Sequence, residues 1–156
     1  MILLRKMDLT DVDEVLRWEN NPENWHFSDT DSPYTREDIV QLVDDLNMDS
    51  SLQQRFIICE TDTDRRLGAL DLFEIDVYSR EASVGILIAD KSSRRKGFAY
   101  RALQLLESES DPYSVEKLKA SVHKWNEASL ELFKKAGYEV VSHTDELVKF
   151  EKCLKR

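Results

Sequence analysis

The segment from Ser92 to Arg101 constrains the fold most, because it joins an apolar run to an amphipathic helix. The run before it, Val84–Ala89, has the length and composition of a buried strand. The residues after it place Ala99, Leu103 and Leu106 at helical spacing. A strand that turns sharply into a helix leaves free N–H groups and the positive end of the helix dipole at the turn. The sequence therefore predicts an anion-binding loop at this point.

Two common phosphate-binding loops do not fit this segment. A P-loop needs two glycines five residues apart followed by Lys and Ser or Thr, whereas Gly85 and Gly97 are too widely separated. A dinucleotide fingerprint needs three glycines within six residues, and this loop has one. Gly97 and the small Ala99 would instead let the backbone approach a pyrophosphate closely.

A second informative block runs from Lys119 to Val140 and has the pattern of a strand, a polar turn, a helix and a new strand. Asn126 is a good helix N-cap, and Leu130 and Phe133 form an apolar face. Gly137 suits the left-handed residue that follows a helix. The block predicts a short helix between two strands.

Together the two blocks resemble the GCN5-related N-acetyltransferase (GNAT) family. Arg94, Gly97 and Ala99 match the family's Arg/Gln-x-x-Gly-x-Gly/Ala loop. The string from Asn126 to Tyr138 is similar to its Asn-x-x-Ser/Ala-x-x-Leu-Tyr/Phe-x-Lys-x-Gly-Phe/Tyr element, and residues 2–13 resemble its first strand and helix. The resemblance implies an α+β fold with a central, mostly antiparallel twisted sheet flanked by helices. It also implies a V-shaped splay between the fourth and fifth strands.

Hydrophobic periodicity and turn residues predict one mixed domain over residues 1–156, with no linker or repeat. Thr35 and Asp38 have the form of a capping box at the start of a helix. The predicted strands are Ile2–Lys6, Gln54–Thr61, Leu67–Ile75, Glu81–Ala89, Leu118–Val122, Glu139–Thr144 and Glu146–Leu154, and the predicted helices are Thr10–Asn20, Thr35–Asn47, Gly97–Ser108 and Glu127–Ala136.

The net charge of the chain limits which partners it can bind. The sequence has 22 Lys and Arg residues and 31 Asp and Glu residues, a net charge of −9. Such a surface repels a phosphate backbone, so nucleic-acid binding is not expected. It would attract a cationic substrate, although an acidic balance also serves solubility. No run of eighteen apolar residues is present and the N-terminal apolar patch is too short for a signal sequence, so we expect a cytoplasmic protein that does not bind membranes. A homodimer is a further expectation.

Cysteines and histidines give no metal-binding pattern. Cys59 lies in an apolar run and Cys153 in a near-terminal strand, and neither belongs to a Cys-x-x-Cys motif. The three histidines are scattered along the chain. We therefore expect no metal site and two buried structural thiols.

The resemblance implies an acetyl-CoA-dependent N-acetyltransferase similar to the branch that contains ribosomal-protein and spermidine acetyltransferases. The acceptor would be a primary amine: a polyamine, a protein N-terminus or another small amine. The alternative is a non-catalytic acyl-CoA-binding or sensing module that kept the fold. Lys134 and Lys135 could reach the nucleotide, but a solvated helix face is the simpler interpretation. The implied donor-binding residues are Leu87, Ile88 and Ala89 through their main chain, Arg94, Arg95, Lys96, Gly97, Phe98 and Ala99 around the pyrophosphate, and Asn126.

The general acid is one point at which this sequence departs from the family. Many relatives carry a Tyr seven residues after the helix-opening Asn, but here that position is Phe133. A substitute phenol could come from Tyr138 or from Tyr34, or the thiolate could leave unprotonated. For Tyr138 a core aromatic is the competing interpretation.

The general base is the other departure, because Ser83 occupies the position at which relatives often carry a Glu. Asp71 is the leading candidate instead, since a carboxylate within an apolar run is costly unless it is paired or functional. Strand alternation puts Asp71 on the face of Phe73, and Glu74 on the opposite face with Leu72. Glu74 is the second candidate. The competing interpretation makes Asp71 a hydrogen-bonded structural acid.

The loop after the first helix combines carboxylates with aromatic rings, a composition that suits an amine through charge pairing and cation–π contact. The family uses this region to shape the acceptor pocket. The predicted acceptor-side residues are Glu23, Trp25, His26 and Asp29.

Overall fold

A computed structural model describes residues 1–22, 33–48, 51–89, 94, 96–110 and 113–154. All predicted strands and helices are present, and their ends agree with the predictions to within two residues. The strands are β1 Ile2–Lys6, β2 Gln54–Glu60, β3 Arg66–Asp76, β4 Glu81–Ile88, β5 Lys117–His123, β6 Glu139–His143 and β7 Leu147–Cys153. The helices are α1 Val12–Asn20, which follows a 3-10 turn at Leu9–Asp11, α2 Arg36–Leu46, α3 Phe98–Glu109 and α4 Glu127–Lys135.

The strands form one seven-stranded sheet in the order β1-β2-β3-β4-β5-β7-β6. Every neighbouring pair is antiparallel except β4 and β5, which run parallel. The predicted α+β architecture with a mostly antiparallel sheet is therefore confirmed. None of the helices in the described ranges combines the length and the hydropathy needed to cross a bilayer.

The sheet is covered by different helices on its two faces. Ala102, Leu103 and Leu106 of α3 and Phe133 of α4 pack with apolar side chains of one face. Residues of α1 and α2 pack on the other face, over β2 and β3. The opposite face of β5 and β7 carries mostly polar side chains, as their alternation with the buried positions requires. We call the face that α1 and α2 cover the α1/α2 face.

Short polar contacts fix the helices of the α1/α2 face. The Thr35 hydroxyl accepts from the Asp38 N–H and the Asp38 carboxylate accepts from the Thr35 N–H, the predicted capping box of α2. Before α1, the buried Asp11 carboxylate accepts two hydrogen bonds from Arg5, at 2.7 and 2.6 Å, and one from Arg66 at 2.7 Å. Burial alone would raise the pKa of Asp11, but the guanidinium hydrogen bonds hold it below its usual value.

Two expectations about single residues are wrong. Glu74 has φ +49° at a register shift in β3, and it is exposed while Ile75 takes the next buried position. A bulge of this kind changes the side-chain alternation, so Glu74 faces solvent rather than the core beside Leu72. Cys153 is exposed, whereas Cys59 is buried as expected and burial raises the pKa of its thiol.

Candidate functional site

Strands β4 and β5 separate soon after they begin. They pair only from Glu81 to Ser83 against Lys117 to Lys119. Beyond these pairs, among the strands that the structure describes, β4 is paired with β3 alone and β5 with β7 alone. The two parallel strands thus leave a slot between them, as the predicted splay requires.

The main chain at the end of β4 presents one residue to this slot. The Ala89 N–H donates to the Leu67 carbonyl oxygen at 2.9 Å, so it faces β3. The Leu87 carbonyl oxygen also faces β3, where a Cβ atom on Gly68 would lie 1.9 Å from it. Because neighbouring residues of a strand direct their main-chain groups to opposite edges, the main chain of Ile88 faces the slot. The Leu87 carbonyl and the Ala89 N–H, which were also predicted to bind the donor, are directed to β3 instead.

The described residues between β4 and α3 are Ala89, Arg94, Lys96 and Gly97. Arg94 Nε donates to the Ile88 carbonyl oxygen at 2.9 Å, which ties the loop to the edge of the slot. Gly97 has φ +82° and directly precedes α3, and no side chain of the described residues caps that helix end. The first N–H groups of a helix have no partner within it, so those of Phe98 and Ala99 point toward the loop. Lys96 is exposed beside them.

Predicted binding residues on α4 have identifiable contacts. Lys135 Nζ lies 4.7 Å from the ring centroid of Tyr100, in the first turn of α3, so its charge lies near the turn at Gly97. Lys135 is exposed, as the solvated helix face expected for it requires. The Asn126 side chain accepts from the Ser129 N–H at 3.2 Å and caps α4. Arg95 lies outside the described residues.

Asp71 belongs to a charge cluster on the α1/α2 face. Its two carboxylate oxygens accept from Arg55 Nε at 2.7 Å and Arg55 Nη2 at 3.0 Å. Arg55 also donates to Glu19 of α1 at 3.3 Å. The nearby carboxylates raise the pKa of Arg55 although its burial opposes this. Asp71 is thus hydrogen-bonded on both oxygens, the arrangement of a structural acid.

Tyr138 lies in the core behind α4. Its ring meets the ring of Phe133 edge-on at 5.0 Å, and it is 5% exposed. Within the described ranges no group forms a hydrogen bond with its hydroxyl. Burial, with a smaller contribution from the charge of Glu107, raises the pKa of this phenol. These surroundings are those of the competing interpretation, a core aromatic. Tyr34 is exposed at the surface.

The sheet register brings further polar side chains to the base of the slot. Arg55, Asp71 and Gly85 lie opposite one another across β2, β3 and β4. Since Ser83 pairs with Lys119, the residue of β5 level with Gly85 is Ser121, which lies opposite Lys149 of β7. Lys149 Nζ donates to Ser121 Oγ at 3.1 Å.

Sequence reasoning missed the pair of Ser121 and Lys149. The alternation around the buried Ala120 and Val122 would have assigned Ser121 to the α1/α2 face. That Lys149 is its partner, however, follows only from the register between β5 and β7.

The predicted acceptor residues Glu23, Trp25, His26 and Asp29 lie outside the described residues. The two ends of this segment are joined, because Asn20 Nδ2 donates to the Tyr34 carbonyl oxygen at 2.9 Å and the Tyr34 N–H donates to Asn20 Oδ1 at 2.7 Å. In the described part of the chain, no three His, Cys, Asp or Glu side chains lie together in a way that could hold a metal ion.

Comparisons with known proteins agree with this geometry. The family model for an acetyltransferase (GNAT) domain matches residues 1–139. A spermidine N-acetyltransferase from Vibrio cholerae in complex with CoA and spermine superposes with a TM-score of 0.88 at 17% identity, covering 97% of this chain and 95% of that one. A domain from Methanocaldococcus jannaschii superposes with a TM-score of 0.80 at 20% identity and 99% coverage of both chains.

A dodecameric spermidine N-acetyltransferase from Vibrio cholerae in an intermediate state gives a TM-score of 0.80 at 19% identity, covering 97% of this chain and 93% of that one. At these identities the likeness shows the fold alone. Among curated protein sequences, no match is found.

Proposed function

The chain belongs to the GNAT acetyltransferase family, and we propose that it transfers the acetyl group of acetyl-CoA to a primary amine. The observation that carries this proposal is the slot between β4 and β5, together with the left-handed Gly97 and the start of α3, which no described side chain caps. A slot with a free strand edge suits the amide-bearing arm of CoA, because an extended chain can pair with such an edge. A helix start suits its pyrophosphate.

The proposed donor site assigns each part of CoA to a described element. The pantetheine arm lies in the slot and pairs with the main chain of Ile88. The pyrophosphate accepts hydrogen bonds from the N–H groups of Phe98 and Ala99, and Arg94 and Lys96 add positive charge. At the nucleotide end of CoA, the negatively charged phosphate groups lie near Lys135, whose ammonium lies above the ring of Tyr100 in the first turn of α3. Arg95 and Asn126 are also proposed at this site.

The proposed reaction needs no cofactor beyond the acyl donor. The neutral amine attacks the thioester carbonyl carbon, and a carbon–nitrogen bond forms. The carbon–sulfur bond then breaks with its electron pair on sulfur, and the proton of the attacking nitrogen passes to water. Products are an N-acetylated amine and CoA. Catalysis requires that the slot hold the thioester where the amine can reach it.

The acceptor approaches from the α1/α2 face in this proposal. There the two carboxylates of Glu19 and Asp71 surround one guanidinium, that of Arg55, so the cluster carries an excess negative charge that attracts an ammonium. Polyamines are the first acceptors to test, since a structural neighbour is a complex with spermine. Protein N-termini and other small amines are the further acceptors to test. Glu23, Trp25, His26 and Asp29 are proposed to complete the acceptor side.

The general base is a separate proposal. Arg55 occupies both oxygens of Asp71, so we assign Asp71 to attraction of the ammonium rather than to proton removal. Water takes the proton of the attacking nitrogen. The exposed carboxylate of Glu74 is the candidate that would accept this proton from the water. Tyr138 is not proposed as an acid, because its hydroxyl is buried in the core.

A second candidate function is a non-catalytic acyl-CoA sensor. It is favoured by Phe133, which fills the position of the usual phenol and stacks on Phe150 with ring centroids 5.8 Å apart. Isothermal titration with acetyl-CoA, followed by thiol release with a panel of amines, separates the two functions. Acetyl-CoA binding with amine-dependent thiol release supports the transferase. Binding without release supports the sensor, and the absence of binding contradicts both.

Location and assembly complete the proposal. We propose a cytoplasmic protein that associates with copies of itself, because one structural neighbour is dodecameric. Sedimentation velocity would test the assembly: a single species with the mass of one chain would contradict it.

A further inference from the structure

Lys149 differs from the other lysines on the open part of the α1/α2 face. The Lys117 Nζ lies 3.6 Å from a carboxylate oxygen of Glu81 and 3.2 Å from one of Glu151. The Lys119 Nζ lies 3.5 Å from the other carboxylate oxygen of Glu81. The half-buried Lys149 instead directs its ammonium to the hydroxyl of Ser121, at 3.1 Å. Within the described ranges this hydroxyl is its hydrogen-bond partner, and no carboxylate lies within salt-bridge distance. Ser121 is exposed, and an ammonium that donates to its neutral hydroxyl polarises that hydroxyl.

The pair lies level with the base of the slot. Ser121 follows Lys119, the last residue of β5 that pairs with β4, by two positions, a distance of about 7 Å along the strand. At the same level on the other side of the slot lies Gly85, two residues beyond Ser83, the last residue of β4 that pairs with β5. The phenyl ring of Phe73 is the nearest group, 3.6 Å from where a Cβ atom of Gly85 would lie.

The Ser121 hydroxyl has a free donor in this arrangement. Its oxygen accepts from Lys149, so its own proton is available to another acceptor. A hydroxyl polarised by a cation is a strong donor toward an oxygen or sulfur that gains negative charge. The usual phenol is replaced by the apolar ring of Phe133, which cannot serve this purpose.

We propose that Ser121 is a catalytic residue that donates a hydrogen bond to the negative charge developing on the thioester, and that Lys149 is the positioning residue that orients and polarises it. The proposal rests on the proposed acetyl transfer. As the amine attacks, the electron pair moves first to the carbonyl oxygen and then to sulfur when the carbon–sulfur bond breaks. Ser121 keeps its proton throughout, and the CoA thiolate takes a proton from water.

Steady-state kinetics of Ser121→Ala test the role directly. We expect kcat with the best amine of the panel to fall at least tenfold, while the Kd for acetyl-CoA and the Tm stay unchanged, because the hydroxyl acts in the transition state. Ser121→Thr keeps a hydroxyl and should retain most of the activity. A kcat of Ser121→Ala within twofold of the parent would overturn the proposal.

Lys149→Met tests the positioning role. We expect a loss of kcat similar to that of Ser121→Ala, and a double variant no slower than Ser121→Ala alone, because Lys149 acts through the hydroxyl. Independent, multiplying losses would contradict this. Lys119→Met and Ser142→Ala are matched controls, since Lys119 lies on the same face with a carboxylate partner and Ser142 lies opposite Lys149 on β6. Both should retain kcat within about twofold.

A measurement without an amine separates this proposal from the proposed function. The thiol of free CoA resembles that of free Cys, whose pKa is about 8.5. If Ser121 stabilises negative charge on sulfur, the bound CoA thiol should titrate at lower pH than free CoA by ultraviolet thiolate absorbance, and Ser121→Ala should abolish the difference. A lowered thiol pKa in a protein without any amine turnover would support the hydrogen bond from Ser121 to the CoA sulfur and contradict acetyl transfer. An unaltered thiol pKa with active turnover would support acetyl transfer and contradict that hydrogen bond.

Discussion

Arg55 and Asp71 show at the scale of single residues how a neighbour determines what a carboxylate can do. The sequence identified Asp71 as unusual, because it interrupts an apolar run. Its partner is sixteen positions away and faces it only through the register of β2 and β3. No local pattern carries that information, so the choice between a base and a structural acid required the fold. The same holds for Ser121 and Lys149, which are twenty-eight positions apart.

Asp71→Asn distinguishes the two roles of this carboxylate. We expect the free energy of unfolding to fall by roughly 2 kcal/mol, because Arg55 loses the charge of a partner in a poorly solvated cluster. For a domain of this size, that corresponds to a drop in Tm of about 6 °C. The kcat should stay within about threefold of the parent. A loss of 10²-fold or more in kcat with an unchanged Tm would instead identify Asp71 as the general base.

Tyr138→Phe tests the assignment of this phenol to the core. A buried hydroxyl without a hydrogen bond costs about 1 to 3 kcal/mol, so removing the oxygen should leave the free energy of unfolding unchanged or raise it by about 1 kcal/mol. Urea denaturation measures this. Acetyl transfer should be unaffected, and a tenfold fall in kcat would restore Tyr138 to the catalytic residues.

At the scale of elements, the turn between β4 and α3 was predictable because its signals are local. An apolar run, a glycine and helical spacing follow one another within about twenty residues, and the structure has a left-handed Gly97 at the start of α3. The main-chain direction at Leu87 and Ala89 was not predictable. That direction depends on which residues of β4 form hydrogen bonds with β3. The pairing of the two strands sets it, and the residues of neither strand alone do so.

Gly97→Val tests the donor site at this turn. A β-branched residue is strained at a φ of +82°, and its side chain would project into space that no described atom occupies within 4 Å. We expect acetyl-CoA to bind at least tenfold more weakly, a loss of about 1.4 kcal/mol or more. Circular dichroism should show an intact fold. Unchanged affinity in the calorimeter would exclude this turn from the binding site.

At the scale of the whole molecule, the sheet carries one core on each face and a slot between its two parallel strands. The order of elements and the family resemblance were sufficient to predict this architecture. The charge clusters that join distant parts of the fold were not foreseen. The buried Asp11 links β1, the turn before α1, and β3 through Arg5 and Arg66. Such a cluster couples the stability of the molecule to pH.

Acid should weaken the fold through Asp11. Its pKa is lower in the folded state than the ordinary value of about 3.9, so its contribution is fully present above that pH and is lost as pH falls through the folded value. We expect Asp11→Asn to lose roughly 3 kcal/mol of unfolding free energy near neutral pH. The difference from the parent should narrow below about pH 4. A constant difference from neutral to acidic pH, measured by urea denaturation, would show that the charge of Asp11 is not responsible.

The most direct test of the account follows the acetyl group itself. The purified chain is incubated with acetyl-CoA carrying an isotopic label on the acetyl carbons and with a panel of polyamines, peptides and small amines, and the amines are analysed by mass spectrometry. We expect labelled N-acetyl product from at least one amine, dependent on the protein and reduced at least tenfold by Gly97→Val at limiting acetyl-CoA. Absence of labelled product from every amine, in a preparation that binds acetyl-CoA, would contradict acetyl transfer as the function of this site.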